Sequence, residues 1–148
     1  MQAIVSLSGG LDSTTLLRMC GDEHPAYEIL AVSFRYGSKH NQYENEAAWR
    51  VAQHYAVRLE FVDLSEATRL LRSNLLLTGG PIPEGHYEAE SMSQTVVPGR
   101  NLIFASVLAG IAWSQQAKEV WLGVHAGDHL IYPDCRPEFI RSMHEAIH

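Results

Sequence analysis

Hydrophobic runs of strand length alternate along this chain with segments whose apolar residues recur at helical spacing. The runs that predict strands are Ala3–Val5, Tyr27–Phe34, Val57–Leu64 and Glu119–Val124. The segments that predict helices run from Ser13 to about Gly21, over Tyr43–Tyr55, briefly to Leu70 and Leu71, over Leu102–Gln116, and over Glu138–His148. This alternation predicts an α/β fold with a mainly parallel sheet and right-handed crossovers.

Two segments differ from that pattern. Asn74–Val97 contains several glycines, prolines and acids with little periodicity, which predicts a long loop. Such a loop is either a functional lid or binding segment, or a mobile surface excursion. Leu102–Gln116 is so apolar that we expect a buried helix, and we expect Trp113 and Trp121 to lie in the core.

The first strand leads into a glycine turn and the start of a helix. The stretch Ser8-Gly9-Gly10-Leu11-Asp12-Ser13-Thr14-Thr15 makes this connection. Adjacent glycines let backbone N–H groups approach a ligand closely, because no Cβ is in the way. Asp12, Ser13 and Thr14 are N-cap residue types, so the helix should begin near Ser13 with its positive end facing the turn. The turn is therefore a candidate phosphate site.

The turn matches neither of the two common phosphate motifs. It lacks the lysine of the Gly-x-x-x-x-Gly-Lys-Ser/Thr loop, and it lacks the Gly-x-Gly-x-x-Gly dinucleotide pattern. Ser-Gly-Gly-x-Asp-Ser after a strand instead resembles the pyrophosphate loop of the ATP pyrophosphatases, which split ATP between its α and β phosphates. The alternative is an ordinary strand-to-helix turn. The resemblance implies that ATP contacts Leu7, Ser8, Gly9, Gly10, Leu11, Asp12, Ser13, Thr14, Thr15, Leu16 and Leu17.

Composition limits the classes of function. The chain has 148 residues, enough for one domain with a sizeable core, and a formal charge of −6 that argues against a large basic nucleic-acid surface. Its two cysteines, Cys20 and Cys135, supply neither a disulfide framework nor a four-cysteine zinc site. No signal peptide or membrane-length apolar run is visible. We therefore expect a cytoplasmic protein without nucleic-acid or membrane partners.

Four polar clusters follow predicted strands or open predicted helices. They are Ser8–Thr14, Arg35–His40, Pro98–Asn101 and His125–Arg136. In an open parallel sheet, ligands bind beyond the carboxyl ends of the strands, where the strand order reverses. We expect these clusters to meet at that edge.

Four segments, in this order, resemble the QueC family of 7-cyano-7-deazaguanine synthases. They are Ser8–Thr15, Tyr36–His40, Thr95–Asn101 and Tyr132–Arg136. The resemblance extends over essentially the whole chain. It implies a single ATP pyrophosphatase domain with an adenine-nucleotide alpha hydrolase-like, Rossmann-like sandwich. It also implies a homodimeric, ATP-dependent carbon–nitrogen ligase that converts 7-carboxy-7-deazaguanine and ammonia into the nitrile in queuosine biosynthesis.

The chain departs from the family pattern at three places. Ser38-Lys39 stands where the family usually has Gln-Arg, and Glu44 follows His40 by four residues rather than three. The family also continues past the last helix into a cysteine cluster that binds zinc. We expect residues 1–148 to lack that tail, so no zinc ligand is assigned in this chain.

The family chemistry suggests roles for the charged residues. Asp12 would hold Mg²⁺, which prefers carboxylate oxygen, and Lys39 and His40 would bind the leaving pyrophosphate. Arg100 would bind either a phosphate or the substrate carboxylate through its planar fork. The simpler alternatives are a solvated loop for Lys39 and His40, and an ion pair at a helix start for Arg100.

The residues expected to bind the deazaguanine are Tyr36, Arg100, Asn101, Tyr132, Asp134 and Arg136. Asp134 would accept hydrogen bonds from the ring N–H and the exocyclic amine. Cys135 is expected to be a small buried thiol rather than a nucleophile. His125 and His129 flank Gly127, which favours a loop over a helical metal site.

Other functions remain open at this point. A divergent relative could stop at the amide, or attach the activated deazaguanine to a protein amine. A non-catalytic adenine-nucleotide-binding module is a further alternative. A transfer-RNA thiolase with the same loop would normally use paired reactive cysteines, and Cys20 lies within the first predicted helix.

Overall fold

The computed structural model describes residues 1–82, 96–124 and 132–147. The strands are β1 (Ala3–Ser6), β2 (Ile29–Arg35), β3 (Arg58–Asp63) and β4 (Glu119–Trp121). The helices are α1 (Leu11–Glu23), α2 (Asn41–His54), α3 (Ser65–Thr68), α4 (Arg100–Gln115) and α5 (Pro137–Ile147). Single 3-10 turns lie at Ala26–Glu28 and Pro133–Cys135.

The described strands form one parallel sheet, which confirms the predicted α/β class. Their order is β3-β2-β1-β4, with every neighbouring pair parallel. The chain moves outward from β1 to β3 and then returns to the other side of β1 to form β4. The strand order thus reverses between β1 and β4, and the ligand crevice is expected at their carboxyl ends.

Helices cover both faces of the sheet, because β1 and β2 carry apolar side chains on both sides. Ala3 and Val5 of β1 pack into a cluster with α1 and α2 on one face. Ile4 of β1 points the other way and packs with Leu108 and Ala112 of α4. The continuous apolar runs of the sequence therefore correspond to strands at the centre of a layered sandwich.

The predicted elements agree with the observed ones to within a few residues, and the largest difference is at α3. The short helix expected to reach Leu71 ends earlier, as α3, after Thr68. At that point the Thr68 hydroxyl donates to the Tyr36 carbonyl oxygen at 2.7 Å, so the end of α3 is bonded to the loop that follows β2. Of the predicted loop 74–97, the described parts contain no helix or strand; residues 83–95 lie outside the described residues.

Helix α4 is only partly buried, and the prediction that Trp113 lies in the core is wrong. Trp113 is 64% exposed and Leu102 is 45% exposed, whereas Leu108 is fully buried. A sheet covers only one side of a helix, so an apolar helix on its face still presents its other side outward. Trp121 is half-buried on β4, and its indole N–H donates to the Glu119 carboxylate at 2.8 Å.

Cys20 lies on the buried side of α1, near the end of the helix. Its side chain is fully buried within the core cluster that α1 and α2 form with the sheet. Burial raises the pKa of its thiol to about 11, and the nearby Glu119 and Glu23 carboxylates add to that rise. The thiol is therefore a neutral core group, consistent with both cysteines being free.

No helix among the described residues is long and apolar enough to cross a membrane.

Gly9 lies where the turn after β1 passes closest to α2. Its φ is +80°, in the left-handed region that favours glycine. A Cβ at this position would lie 2.5 Å from both the Ala47 Cβ and the Ala48 backbone nitrogen. The turn and α2 thus approach each other too closely for any side chain here.

Replacing Gly9 with alanine should destabilise the fold. The new methyl group would clash with α2, and the positive φ would be strained. Together these effects should lower the free energy of unfolding by about 2–4 kcal/mol. Urea denaturation followed by circular dichroism measures the change.

Gly110→Ala is the matched control. Gly110 is exposed on α4 and has no positive φ, and a methyl group there would meet no neighbouring atom within 4 Å. Alanine should leave stability unchanged or raise it by up to about 1 kcal/mol, because glycine is a poor helix former. Equal urea midpoints for the two variants would contradict the close approach at Gly9.

Candidate active site

A cavity of about 240 Å³ opens at the carboxyl ends of β1, β2 and β4, where the strand order reverses. Residues of β1 and β2, the two residues that follow β4, and the starts of α1, α2 and α4 line it. Its lining residues are Ser6, Leu7, Ser8, Ser13, Ser33, Phe34, Tyr36, Glu44, Arg100, Asn101, Phe104, Leu122 and Gly123. Among these described residues, Glu44 is the only acid and Arg100 the only base.

The glycine turn is held by hydrogen bonds between its two serines. The Ser8 N–H donates to Ser13 Oγ at 3.2 Å, and the two hydroxyl oxygens lie 3.1 Å apart. Ser8 Oγ also accepts from the Gly10 N–H at 3.3 Å. The Thr14 N–H donates to the Gly10 carbonyl and begins the helical ladder of α1. The turn therefore presents a preformed helix start to the cavity, which suits an anion.

Asn41, at the start of α2, organises the loop that follows β2. Its side-chain oxygen accepts from the backbone N–H groups of Tyr36 and Ser38 at 2.9 and 3.0 Å. Its amide nitrogen donates to Glu44 Oε2 at 3.0 Å. One amide thus fixes both the backbone beside Tyr36 and the carboxylate of Glu44 in the cavity wall.

Arg100 is the first residue of α4, and aromatic side chains surround it. Its guanidinium lies 5.6 Å from the centre of the Tyr132 ring, and the Tyr36 hydroxyl is close enough to influence the pKa of the guanidinium. Phe104, one turn later on α4, stacks on Phe34 with ring centres 4.0 Å apart. The aromatic groups exclude water around the guanidinium and limit the directions in which it can point.

The surroundings of Arg100 keep it charged. Burial acts to lower the pKa of its guanidinium, but Tyr36, Tyr132 and Asp134 more than offset this and hold the pKa above its usual range. Burial raises the pKa of the neighbouring Tyr36 hydroxyl, although the charge of Arg100 opposes that rise. The cavity therefore contains a fixed, permanent positive charge, which can bind a phosphate or a carboxylate.

The Tyr132–Arg136 segment contacts the start of α4 directly. The Asn101 backbone N–H donates to Asp134 Oδ2 at 2.7 Å. The Asn101 side chain donates to the Asp134 carbonyl oxygen at 3.4 Å and to Cys135 Sγ at 3.2 Å. Cys135 is buried, as expected from the sequence, and it accepts this hydrogen bond from within the protein.

Lys39 and His40, which were expected to bind pyrophosphate, are not among the residues that line the cavity. The Lys39 ammonium donates to the carbonyl oxygens of Asn74 and Gly80, and so holds the turn between them. His40 is exposed and immediately precedes α2. Neither side chain lines the cavity, and their binding of pyrophosphate stays a prediction.

The other predicted residues divide between the turn, the core and the surface. Ser8 and Ser13 line the cavity, whereas Asp12 and Thr15 are exposed on the first turns of α1 beside it. Leu17 is 1% exposed and packs in the core, so it supports the turn from beneath. Arg136 is exposed; His125 and His129 lie outside the described residues.

Several cavity residues carry no motif and were not predicted. Ser33 and Phe34 lie within β2, Phe104 lies on α4, and Leu122-Gly123 directly follow β4. The strand-order rule could have indicated Leu122 and Gly123, because they end a strand at the reversal point. In the sequence Glu44 differs from the family pattern only in its spacing from His40, and its place on the cavity wall follows from the fold.

A second set of possible metal ligands lies at the opposite edge of the sheet. Glu23, His24 and Glu119 each place one ligand atom within 4.8 Å of the others. His24 Nε2 lies 3.0 Å from Glu119 Oε2. The hydrogen bond from His24, followed by that from Trp121, lowers the pKa of Glu119. This pair joins the end of α1 to the start of β4, away from the cavity.

Comparison with known proteins agrees with this architecture. The structure is similar to the NH3-dependent NAD synthetase from Campylobacter jejuni, with a TM-score of 0.58 and 14% identity over 87% of this chain and 49% of that chain. At this identity the likeness shows the fold alone: an α/β sandwich with a parallel sheet, as predicted.

Sequence comparison gives the family. The chain is 44% identical over its full 148 residues to the 7-cyano-7-deazaguanine synthase of Caldicellulosiruptor bescii, and covers 66% of that relative. It is 44% identical over 97% of its length to the enzyme of that name from Pseudoalteromonas atlantica, and covers 65% of it. The chain thus spans slightly less than two thirds of the length of these curated relatives. The family model described as queuosine biosynthesis protein QueC matches residues 2–148. The chain therefore belongs to the QueC family.

Proposed function

We propose that this chain carries out the ATP-dependent conversion of 7-carboxy-7-deazaguanine and ammonia to 7-cyano-7-deazaguanine. The proposal rests on family membership and on one structural observation. The glycine turn that leads into α1, called the anion turn below, lines the same cavity as Arg100. The chemistry needs both, because an anionic carboxylate must be brought to the α-phosphate of an anionic nucleotide.

The turn after β1 is the proposed pyrophosphate site. The N–H groups at the start of α1 and the linked hydroxyls of Ser8 and Ser13 supply donors there. Negative charge accumulates on pyrophosphate as it leaves the α-phosphate, so donors fixed in advance stabilise the transition state. The apolar wall formed by Leu7, Phe34 and Leu122 is suited to the adenosine part of ATP.

Arg100 is the proposed partner of the substrate carboxylate. Its guanidinium is held between Tyr36 and Tyr132 and stays charged, as described above. A planar guanidinium binds a carboxylate through two parallel hydrogen bonds, which would also orient the attacking oxygen. Neutralising the carboxylate allows it to approach the nucleotide phosphates with less repulsion.

The reaction proceeds by activation of oxygen. A carboxylate oxygen attacks the α-phosphate, pyrophosphate leaves, and the resulting acyl adenylate has AMP as a good leaving group. Ammonia then displaces AMP and, after loss of a proton, gives the amide. A second adenylation at the amide oxygen, with another pyrophosphate released, lets the nitrogen lose its protons as AMP departs. The product is the nitrile.

Asp12 is the proposed holder of Mg²⁺. Its carboxylate lies on the first turn of α1, exposed and beside the turn, and carboxylate oxygen is the donor that Mg²⁺ prefers. When bound, the ion would neutralise charge on the phosphates. Asp12 also stabilises the positive end of α1.

The remaining features of the proposal come from the family. We propose a homodimer in the cytoplasm, acting on a small molecule and ammonia rather than on nucleic acid or membrane. The formal charge of −6 agrees with a small-molecule substrate, since nucleic-acid surfaces are usually basic.

The first functional prediction concerns the bond broken in ATP. With Mg²⁺, ATP and 7-carboxy-7-deazaguanine, the chain should form AMP and pyrophosphate, and an adenylate should accumulate when ammonia is withheld. The turn lacks the lysine that supports γ-phosphoryl transfer. Chromatography of the nucleotides measures the products. ADP and phosphate as main products would show that the turn does not bind pyrophosphate as proposed.

The second prediction concerns Asp12. Asp12→Ala should lower the rate of AMP formation by at least about 100-fold, since it removes the proposed metal ligand. Asp22→Ala is the matched control at the other end of α1, where Asp22 pairs with Arg18. Initial rates over a range of Mg²⁺ concentrations separate the two. Near-normal turnover in Asp12→Ala would remove Asp12 from the site.

The third prediction concerns Arg100. Arg100→Lys keeps the charge and loses the planar fork, so kcat/KM for the deazaguanine should fall by about 10- to 100-fold. Arg141→Lys, on the exposed face of α5, is the control. Full activity in Arg100→Lys would mean that Arg100 makes only a simple charge contact.

A further inference from the structure

We propose that Asp134 is a positioning residue whose carboxylate fixes the first turn of α4, and with it Arg100, rather than binding the ring of the deazaguanine. The inference rests on the proposed function and assigns the motif around Asp134 a task within it. The observation that carries it is the set of hydrogen bonds joining Asn101 to Asp134 and Cys135, here called the Asn101–Asp134 clamp.

The residue at the N-cap of helix α4 supplies no side-chain hydrogen bond to the first turn. It is Gly99, in a left-handed conformation with φ of +66° and no side chain to accept a hydrogen bond from the first turn. Asp134 supplies that acceptor from a point 33 residues away, at 2.7 Å from the Asn101 nitrogen. A carboxylate at this place satisfies a helix N–H and also stabilises the positive end of α4.

The clamp closes in the other direction through the Asn101 side chain. Its amide donates to the Asp134 carbonyl and to Cys135 Sγ, so it fixes the backbone that carries the carboxylate. Asn101 and Cys135 are both buried, at 7% and 6% exposure. Buried hydrogen bonds of this kind are costly to break, because the freed groups have no water to replace their partners.

The same segment also contacts the guanidinium of Arg100. Tyr132 offers its ring face at 5.6 Å, and the charge of Asp134 is one of the influences that raise the pKa of Arg100. Arg100 directly precedes Asn101, so any shift of the first turn of α4 would move the guanidinium. The Tyr132–Cys135 segment therefore sets both where α4 begins and where Arg100 points.

A ring-binding role makes different demands on Asp134. Its two oxygens would have to accept from the ring N–H and the exocyclic amine in addition to the Asn101 N–H, which Oδ2 already accepts at 2.7 Å. The positioning role and the ring-binding role predict different effects for an asparagine at position 134. An asparagine oxygen can still cap a helix, whereas its NH2 group would face a ring donor with another donor.

The test is calorimetric binding of two ligands, 7-carboxy-7-deazaguanine and 7-deazaguanine without the carboxylate. Asp134→Ala should lower the affinity for the carboxylated ligand by about tenfold and change the affinity for 7-deazaguanine by no more than about twofold. Asp134→Asn should recover most of the loss. Equal weakening of both ligands, or no recovery by asparagine, would overturn the positioning role in favour of ring binding.

Two controls separate positioning from loss of stability. Asp63 makes the same kind of bond elsewhere, since its Oδ1 accepts from the Ser65 N–H at 2.9 Å at the start of α3. Asp63→Ala should lower the melting temperature without changing the affinity for either ligand. The second control combines Arg100→Lys with Asp134→Ala. The double variant should lose no more affinity for the carboxylated ligand than Arg100→Lys alone. Multiplied losses would mean that Asp134 acts independently of Arg100, and would overturn the inference.

A ligand-free measurement keeps the inference separate from the proposed function. In the ¹⁵N-labelled chain, the Nε–H signal of Arg100 can be assigned by its loss in Arg100→Lys. Its exchange with water should accelerate by about tenfold in Asp134→Ala and stay near its original rate in Asp134→Asn. If the exchange accelerates in this way but the chain binds no deazaguanine, the proposed substrate is rejected and the clamp is supported. Unchanged exchange in Asp134→Ala would overturn the clamp whatever the ligand.

Discussion

The close approach of Gly9 to α2 is the constraint on which the rest of the site depends. With no side chain between them, the turn after β1 and the backbone at Ala47 and Ala48 are in direct contact. That contact fixes the start of α1 relative to α2. Glu44 lies one turn before Ala47, so the same contact sets the distance between the anion turn and the carboxylate on the described cavity wall.

The other side of the cavity is built in a different way. Helix α4 is held at its start by groups from the segment after β4, and its apolar face packs against the sheet around Ile4 and Leu108. The cavity thus lies between a turn fixed by steric contact and a helix start fixed by buried hydrogen bonds. Arg100 and Ser13 meet across it although they come from distant parts of the chain. Preorganisation of this kind lets donors act on a transition state without first rearranging.

Much of this fold could be predicted from the sequence, because its information is local. The apolar runs of β1 and β2 and the helical spacing in α2 predicted elements close to those observed. The anion turn could be predicted for the same reason, since a strand, two glycines and N-cap residues are contiguous. Helix α4 was the exception: its composition suggested full burial, but which face of an apolar helix is covered depends on what packs against it, and Trp113 lies outside.

The predicted site was least complete where side chains from distant segments act on one another. The sequence placed Asp134 and Asn101 among substrate-binding residues, but it could not show that one accepts a hydrogen bond from the other. It also gave no sign that the Lys39 ammonium is held by the carbonyls of Asn74 and Gly80. Such pairings depend on where the loops return in space. Motifs identify which residue types are present at a site, and the fold decides which of them face the ligand.

The buried thiol of Cys20 has a consequence for the choice among enzymes that share this anion turn. A thiol with a pKa of about 11 is ionised in only about one molecule in a thousand at pH 8, and the thiolate is the form that attacks sulfur or carbon electrophiles. Persulfide formation at Cys20 would require the core beneath α1 to open and a charge to form beside Glu119. Sulfur insertion through this residue is therefore disfavoured, whereas carbon–nitrogen bond formation needs no thiolate.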